Sequence, residues 1–299
     1  MLKLDGIATF VAVAESGSIS EAARRLHLSK SVVSERLADL EQVLGAQLLH
    51  RTTRKLSLTE DGAAFLEKSA RILREVDEAQ SEMAQRRGSL VGPLRISAPV
   101  TFGRMHLAPA LMPFLRAHPG IELTLELDDR RVDVASEGYD GVVRHGALAD
   151  SRLVAWTLAR SRRQLVAAPD YLARHGMPES IADLRRHRGI FYTNRGVADW
   201  QFQQGAELLA VRAAHALRVN NGDVMRDAAE AGLGIALLPS FIAGAAIRSG
   251  ALAVVDVGLP AVEEFIYVAH PEGRRPSAKL RAMADALKVA FGDPPYWEV

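Results

Sequence analysis

Near the N-terminus of this 299-residue chain, two helix-start signals follow each other closely. Their spacing restricts this part of the chain to two helices joined by a tight turn. Ser18 and Glu21 form a capping box, in which the serine accepts from a free backbone N–H and the glutamate reaches back. The predicted helix is short and rich in alanine. Ser29 can cap a second helix, which Gly45 ends. Two helices with so short a break can pack at the steep angle of a helix-turn-helix.

The second predicted helix carries polar side chains near its N-terminus. Its apolar residues Val33, Leu37, Leu40 and Leu44 predict the buried face, so those polar side chains point outward. The N-terminal residues of a recognition helix contact base edges in the major groove of DNA. Serine can donate or accept at a base edge, and glutamate can accept from a cytosine amine. The candidate DNA-binding residues of the helix pair are Ser18, before its first helix, and Lys30, Ser31, Ser34, Glu35 and Arg36 on its second helix.

The segment after Gly45 predicts a β-wing over residues 48–58 with a basic tip. Arg51, Thr52, Arg54 and Lys55 lie there and suit contact with phosphates or the minor groove. The net charge of the chain is only +1, yet the stretch between residues 24 and 58 contains seven basic residues and three acidic ones. The alternative is a small helical bundle with a merely solvated polar face. The order of capping box, alanine-rich helix, capped second helix and basic wing favours DNA binding.

A long helix is predicted from Thr59 to about Arg87, because acidic residues follow Thr59 and apolar residues recur every three or four positions. These are Ala63, Leu66, Ala70, Leu73, Val76, Ala79 and Met83. The stripe is narrow, as in a two-helix coiled coil across a dimer. Packing on its own domain is the less favoured alternative. Residues 88–93 are rich in turn formers and predict a domain boundary.

Beyond residue 93, short apolar runs alternate with helical segments, a pattern typical of an α/β domain with mostly parallel sheets. The runs are residues 94–97, 121–127, 142–143, 153–158, 165–168, 235–238, 254–257 and 265–268. Pro276 starts a closing helix with Leu280, Met283, Leu287 and Phe291 on one face. Spacing alone leaves open whether these residues form one sheet or two lobes.

The N-terminal residues closely resemble the DNA-binding end of LysR-type transcriptional regulators. The similar stretches are FVAVAESGS (10–18), AARRL (22–26), VSERLADLE (33–41), LGAQLLHRTTR (44–54) and LSLTEDG (56–62). Family members usually carry a basic or amide residue where this chain has Glu35. The resemblance thus implies DNA binding, with Glu35 as the position where base preference departs from the family pattern.

The remaining residues resemble the effector domain of the same family, which is a two-lobed fold akin to periplasmic binding proteins. DGVVR (140–144), AAPDYL (167–172) and AGLGIALLP (231–239) carry this looser resemblance. It implies that the chain crosses between lobes near residues 160–163 and returns near residues 264–266. We therefore expect a multidomain protein: a winged helix-turn-helix over 1–58, a linker helix over 59–89 and an α/β effector domain over 90–299. Lobe one would span about 90–162 and 266–299, and lobe two about 163–265.

Ligands of open α/β folds bind at the carboxyl ends of strands, against helix N-termini. Thr101 follows the first predicted strand, and the resemblance places it where family members hold the anion of the effector. The candidate effector-binding residues are Ser97, Thr101, Phe102, Arg144, Asn194, Asn221 and Asp223. A structural salt bridge is an equal alternative for Arg144, which could otherwise supply a counter-charge. A helix cap is the alternative for Asn221.

Sequence motifs of catalysis are missing. The chain has no cysteine, which excludes disulfides, zinc ribbons and thiol nucleophiles. No nucleophile elbow, Walker loop or His-Glu-x-x-His occurs, and the histidines lack metal-ligand spacing. Lysine is absent from residue 69 to residue 278, which counts against a fused aminotransferase-like enzyme. We expect no catalytic residue, no metal site and no cofactor.

The sequence predicts a transcriptional regulator that binds double-stranded DNA under the control of a small effector, expected to be an organic acid. The resemblance implies a homodimer or homotetramer, with RNA polymerase as a further partner. The alternatives are an enzyme-like domain fused to a DNA-binding module and a purely architectural DNA-binding protein. The most apolar run, residues 234–247, is broken by Pro239 and is shorter than the ~18 residues of a membrane span. No signal peptide is predicted, so we expect a cytoplasmic protein.

Overall fold

The computed structural model describes residues 1–51, 56–85, 89–134, 136–146, 152–195, 200–205, 207–272 and 276–298. The chain divides into two compact units, Met1–Gly92 and Pro93–Val299. Within the described ranges, every helix is too short or too polar to cross a membrane.

The first unit is a winged helix-turn-helix followed by a long helix. Its elements are α1 (Leu4–Ser16), α2 (Ile19–Arg25), α3 (Lys30–Leu44), β1 (Leu49–Arg51), β2 (Leu56–Leu58) and α4 (Glu60–Gln85). The predicted serine caps are confirmed, since Ser18 Oγ accepts from the Glu21 N–H at 3.4 Å and Ser29 Oγ accepts from the Val32 N–H at 3.3 Å. The other half of the capping box is not observed among the described residues, because the Glu21 carboxylate accepts from Arg24 Nε at 3.2 Å. Gly17 and Gly45 end α1 and α3 in the left-handed conformation, with φ of 62° and 66°.

Helix α4 begins with a close approach to the wing. Thr59 Oγ1 accepts from the Gly62 N–H at 2.9 Å and donates to the Gln47 carbonyl at 2.7 Å. A Cβ on Gly62 would lie only 2.0 Å from the Leu48 carbonyl oxygen. Only glycine lets the first turn of α4 come this near to the backbone of the wing.

The apolar stripe of α4 is used in two ways. Leu66 and Leu73 pack against the core of the first unit, together with Phe65, whose ring centroid lies 5.6 Å from that of Phe10. Further along the helix, Met83 is 54% exposed. The stripe therefore packs on its own unit in its first half, as the less favoured alternative stated, and is free of that core at Met83.

The second unit contains two five-stranded sheets. The strands are β3 (Gly92–Ala98), β4 (Ile121–Leu127), β5 (Gly141–Gly146), β6 (Leu153–Ser161), β7 (Arg163–Ala167), β8 (Arg188–Tyr192), β9 (Trp200–Gln204), β10 (Glu207–Val211), β11 (Ala214–Val219), β12 (Ile235–Pro239), β13 (Ala253–Val254) and β14 (Glu264–Pro271). Sheet one has the order β4-β3-β5-β14-β6, and sheet two has the order β11-β8-β12-β7-β13. Strands β9 and β10 form a separate antiparallel hairpin.

Helices flank these sheets. They are α5 (Val100–Phe102), a π-helical turn (Gly103–Leu107), α6 (Ala108–Ala117), α7 (Pro169–His175), α8 (Gly222–Glu230), α9 (Ser240–Arg248) and α10 (Ala278–Phe291). The predicted closing helix is confirmed as α10, which Ser277 caps by accepting from the Leu280 N–H at 3.2 Å. Three short 3-10 turns, Asp183–Arg186, Thr193–Arg195 and Tyr296–Glu298, complete the described helical segments.

The expectation of mostly parallel sheets is wrong, because both sheets are mixed. β3 runs parallel to β5, and β8 runs parallel to β11 and β12. However, β14 is antiparallel to β5 and β6, and β7 is antiparallel to β12 and β13. The chain passes from β6 in sheet one to β7 in sheet two with only Arg162 between them. Two parallel neighbouring strands of one sheet must be joined by a crossover connection, usually a helix. The direct passage from β6 to β7 contains no such helix.

Candidate DNA interface and effector cleft

The start of α3 presents polar side chains on the surface of the first unit. Lys30, Ser31 and Glu35 are exposed, and Ser34 is half-buried. Ser31 Oγ lies 2.8 Å from Ser29 Oγ, so its hydroxyl is shared with the helix cap. A groove of DNA meeting the N-terminus of α3 would meet these four side chains first.

The other predicted contacts of the first unit differ in how far the structure describes them. Arg36 Nη2 lies 3.1 Å from Asp5 Oδ2, which ties α3 to α1. Ser18 uses its hydroxyl to cap α2. Arg51 ends β1, where its backbone pairs with Leu56. Thr52, Arg54 and Lys55 lie outside the described residues.

Some of the basic residues near the helix-turn-helix have acidic partners in the same unit. Arg24 pairs with Glu21, and Arg25 Nη1 lies 2.7 Å from Glu15 Oε2. Exposed pairs of this kind contribute only ~0–1 kcal/mol, so phosphates can compete for these guanidinium groups. Lys30 stands apart, because no ion pair joins it to the described residues.

The second unit brings Thr101 and Asp223 together from positions far apart in the chain. Thr101 is 4% exposed at the start of α5, and its Oγ1 donates to Asp223 Oδ2 at 3.1 Å. Asp223 lies in the first turn of α8 and also binds Arg104 Nη2 at 2.7 Å and Arg226 Nη1 at 3.2 Å. A helix beside sheet one is thus joined to a helix beside sheet two at the predicted anion position. We name this region the effector cleft after its predicted role and define it by Ser97, Thr101, Asp129, Arg144, Asn194 and Asp223, which hydrogen bonds place near one another.

Arg144 extends into this cleft from β5. Its Nη2 donates to Ser97 Oγ at 3.0 Å and more weakly to the Arg130 carbonyl at 3.4 Å, and Nη1 donates to the Val143 carbonyl at 2.9 Å. All three acceptors are neutral. No carboxylate of the described residues lies within ion-pair distance, so the predicted alternative of a structural salt bridge is not observed there. Burial lowers the pKa of the Arg144 guanidinium, because desolvation disfavours its charged form.

Asp129 is a cleft residue that the sequence reasoning missed. Its Oδ1 accepts from the Val100 N–H at 3.0 Å, and its carbonyl accepts from Asn194 Nδ2 at 3.3 Å. Burial raises the pKa of the Asp129 carboxyl, and the charges of Asp128 and Asp223 raise it further. Asp129 follows β4 as Thr101 follows β3, so a search of every strand end for polar residues would have found it.

Two predicted effector residues have structural partners of their own. Phe102 is 1% exposed and packs its ring edge-to-face against Phe241, Phe291 and Trp297. Asn221 Oδ1 accepts from the Val224 N–H at 3.1 Å, which is the helix cap stated as its alternative. We therefore assign Phe102 to the core and Asn221 to the cap of α8.

A buried charge cluster lies where the chain passes between the two sheets. Arg163, the first residue of β7, donates from Nε to Glu264 Oε2 at 2.7 Å, and His145 Nε2 lies 3.0 Å from the same oxygen. The side chains of Arg163, Glu264 and His145 are 9%, 6% and 11% exposed. Burial lowers the pKa of Arg163 to about 9, because desolvation disfavours the charged guanidinium.

Comparison with known families gives two matches that together span most of the chain. Residues 4–63 match the bacterial regulatory helix-turn-helix protein of the lysR family, and residues 87–292 match the LysR substrate binding domain. The chain belongs to the LysR family of transcriptional regulators. This LysR-type regulator is 34% identical to an HTH-type transcriptional repressor of Pseudomonas aeruginosa, over 99% of its own length and 94% of the relative.

Other relatives and solved structures agree with this assignment. An uncharacterized HTH-type transcriptional regulator of Haemophilus influenzae is 34% identical over 95% of this chain and 99% of its own. The structure of CrgA, a LysR-type transcriptional regulator from Neisseria meningitidis, has a TM-score of 0.57 and 29% identity, covering 97% of this chain and 98% of that one. The Vibrio cholerae virulence activator AphB has a TM-score of 0.60 and 26% identity, covering 96% and 98%.

Proposed function

We propose that this LysR-type regulator recognises a paired DNA site through α3 and the wing, and that a small carboxylic acid bound in the effector cleft controls this recognition. The observation that carries the effector proposal is the Arg144 guanidinium, which is half-buried and has only neutral acceptors among the described residues. Burying a charge without a counter-charge is costly. A ligand carboxylate between Arg144, Ser97 and Thr101 would supply the missing negative charge.

Control of DNA binding requires that the effector prefer one arrangement of the two sheets. Asp223 supports such a preference, since it joins Thr101 and Arg104 to α8 across the cleft. A carboxylate at the Thr101 hydroxyl competes with Asp223 for the same hydrogen bond. Effector binding would therefore exchange an internal contact for a ligand contact and shift the closure of the cleft.

LysR-type regulators bind DNA and effectors and form oligomers. We propose that this protein dimerises through the part of α4 around Met83, where the apolar stripe leaves the core of its own unit. Two copies would then read a paired site, with RNA polymerase as a further partner. One relative is named a repressor and one structural neighbour an activator, so the same architecture is compatible with either direction of regulation.

The effector proposal predicts that Arg144→Gln weakens the binding of carboxylic acids by roughly ten- to hundredfold, because a hydrogen bond to a charged group is lost. Thr101→Val should weaken it in the same direction. The measurement is the thermal shift of the full chain across a panel of small aliphatic and aromatic acids. Arg160→Gln is the control, since this arginine is 60% exposed. An acid that stabilises the wild type and Arg144→Gln equally would contradict the proposal.

The DNA proposal predicts different effects for two residues of α3. Ser34→Ala should relax discrimination against one base pair by ~1–3 kcal/mol, whereas Lys30→Ala should weaken all sequences alike and lower the salt slope by about one ion. Binding of both variants to a site selected in vitro, and to single-base variants of that site, distinguishes the two. Lys68→Ala, an exposed change on α4, serves as the control. Unchanged base discrimination in Ser34→Ala would rule out its role in base contact.

A further inference from the structure

The effector cleft contains two opposite charges that do not neutralise each other. Arg144 lies within β5 of sheet one, Asp129 lies two residues after β4 of the same sheet, and each is affected by the charge of the other. Even so, the two side chains form no ion pair with each other. Within the described residues, neither has any partner of opposite charge at ion-pair distance.

The other aspartates at the cleft do have cationic partners. Asp128 Oδ2 accepts from Arg130 Nε at 2.6 Å. Asp223 binds both Arg104 and Arg226. Asp129 therefore differs from its two acidic neighbours, because the described residues offer its carboxylate one backbone N–H and no cation.

Fixed hydrogen bonds keep Arg144 and Asp129 apart. Ser97 and the Val143 carbonyl hold the guanidinium, and the Val100 N–H holds the carboxylate. Ser97 and Val100 belong to the segment that also carries Thr101. The unpaired cation and the unpaired anion are thus both anchored to the segment where we propose that the effector binds.

We propose that the effector is a small zwitterion, whose carboxylate pairs with Arg144 and whose protonated amine pairs with Asp129. The proposal rests on the proposed effector cleft and adds the amine to the ligand class. An amino acid is the simplest compound that carries both groups at a short separation. A plain carboxylic acid would place a further negative charge beside Asp128, Asp129 and Asp223, and a plain amine would leave Arg144 without a counter-charge.

The experiment compares amino acids with partners that lack one of the two charges. The probes are matched sets, such as phenylalanine, 3-phenylpropionate and 2-phenylethylamine, or alanine, propionate and ethylamine, extended over the common amino acids. Binding to the full chain is measured by thermal shift and calorimetry. In the set that binds, we expect the amino acid to bind at least tenfold more tightly than the acid or the amine.

The variant Asp129→Asn tests whether the Asp129 charge attracts the amine of the ligand. Asparagine keeps an oxygen for the Val100 N–H but loses the charge, so amino-acid binding should weaken at least tenfold while binding of the matched acid stays equal or tightens. Asp170→Asn, an exposed change of the same charge on α7, should alter neither.

The possible failures separate the two proposals. If acids bind as tightly as amino acids and Asp129→Asn tightens both, the zwitterion proposal is overturned and the carboxylate proposal stands. If Arg144→Gln changes the binding of no ligand, or if no probe of any set binds the wild type, both proposals are overturned.

Discussion

Replacing Glu264 by glutamine should destabilise the second unit by about 3–5 kcal/mol, because it leaves the buried Arg163 guanidinium without its counter-charge. The substitution keeps the size of the side chain, so the loss measures charge rather than packing. All three tryptophans of the chain, Trp156, Trp200 and Trp297, lie in this unit. Urea unfolding followed by tryptophan fluorescence therefore reports on the second unit without a tryptophan signal from the first.

The neighbouring residue provides a matched control. Glu263 is 55% exposed, and its Oε1 lies 3.9 Å from Nη1 of the exposed Arg160. Glu263→Gln should therefore change the unfolding free energy by less than ~1 kcal/mol. The double variant Arg163→Met, Glu264→Leu should recover much of the loss, since well-packed apolar residues often replace a buried ion pair without cost. Equal unfolding free energies for Glu264→Gln and Glu263→Gln would contradict this account of the cluster.

Replacing Gly62 by alanine should destabilise the first unit by about 1–3 kcal/mol, the usual range for overpacking. Helix propensity alone predicts the opposite sign, since alanine is favoured over glycine inside a helix by ~1 kcal/mol. The difference comes from the Leu48 carbonyl, which would lie 2.0 Å from the new Cβ. Because the obstacle is backbone, α4 and the wing must separate, and DNA affinity should fall as well.

Hydrogen exchange measured on peptides of the first unit tests this prediction directly, since protection in α1, α3 and α4 should decrease. Ala64→Gly is the matched control, because Ala64 is exposed two residues further along the same turn. That change should cost ~1 kcal/mol through propensity and leave DNA affinity unchanged. Higher protection in Gly62→Ala than in the wild type would show that the close approach to Leu48 is not maintained.

The elements of the first unit were predictable because their signals are local. Ser18 and Ser29 cap α2 and α3 through residues three positions away, and Gly17 and Gly45 end α1 and α3. Burial was less predictable: Leu44 has the spacing of the inner face, yet it is 36% exposed beside Gly45 at the end of α3. Helical spacing gives the direction of a side chain, but not whether another element covers it.

The second unit was harder to predict because its decisive contacts are distant in sequence. Thr101 and Asp223 were both candidates, but their hydrogen bond spans 122 positions and depends on how the two sheets are arranged. Hairpin β9–β10 was missed although Trp200, Gln201, Phe202 and Gln203 alternate as in a half-buried strand, because the segment is too short to form a continuous apolar run. The antiparallel strand pairs in both sheets were also missed, because an apolar run identifies a strand but not the strand that it pairs with or their relative direction.

The glycine contact at the start of α4 also has a mechanical consequence. The helix has 26 residues and is therefore about 39 Å long. With Gly62 seated on Leu48 and with Phe65 packed on Phe10, its first turns cannot pivot on the wing. A rotation of α4 and the wing together by 10° about Gly62 would move Gln85, about 35 Å further along the helix, by about 6 Å. A sideways displacement of the helix at Gln85 would therefore turn the wing and α1 with it, since both pack against the first turns of α4.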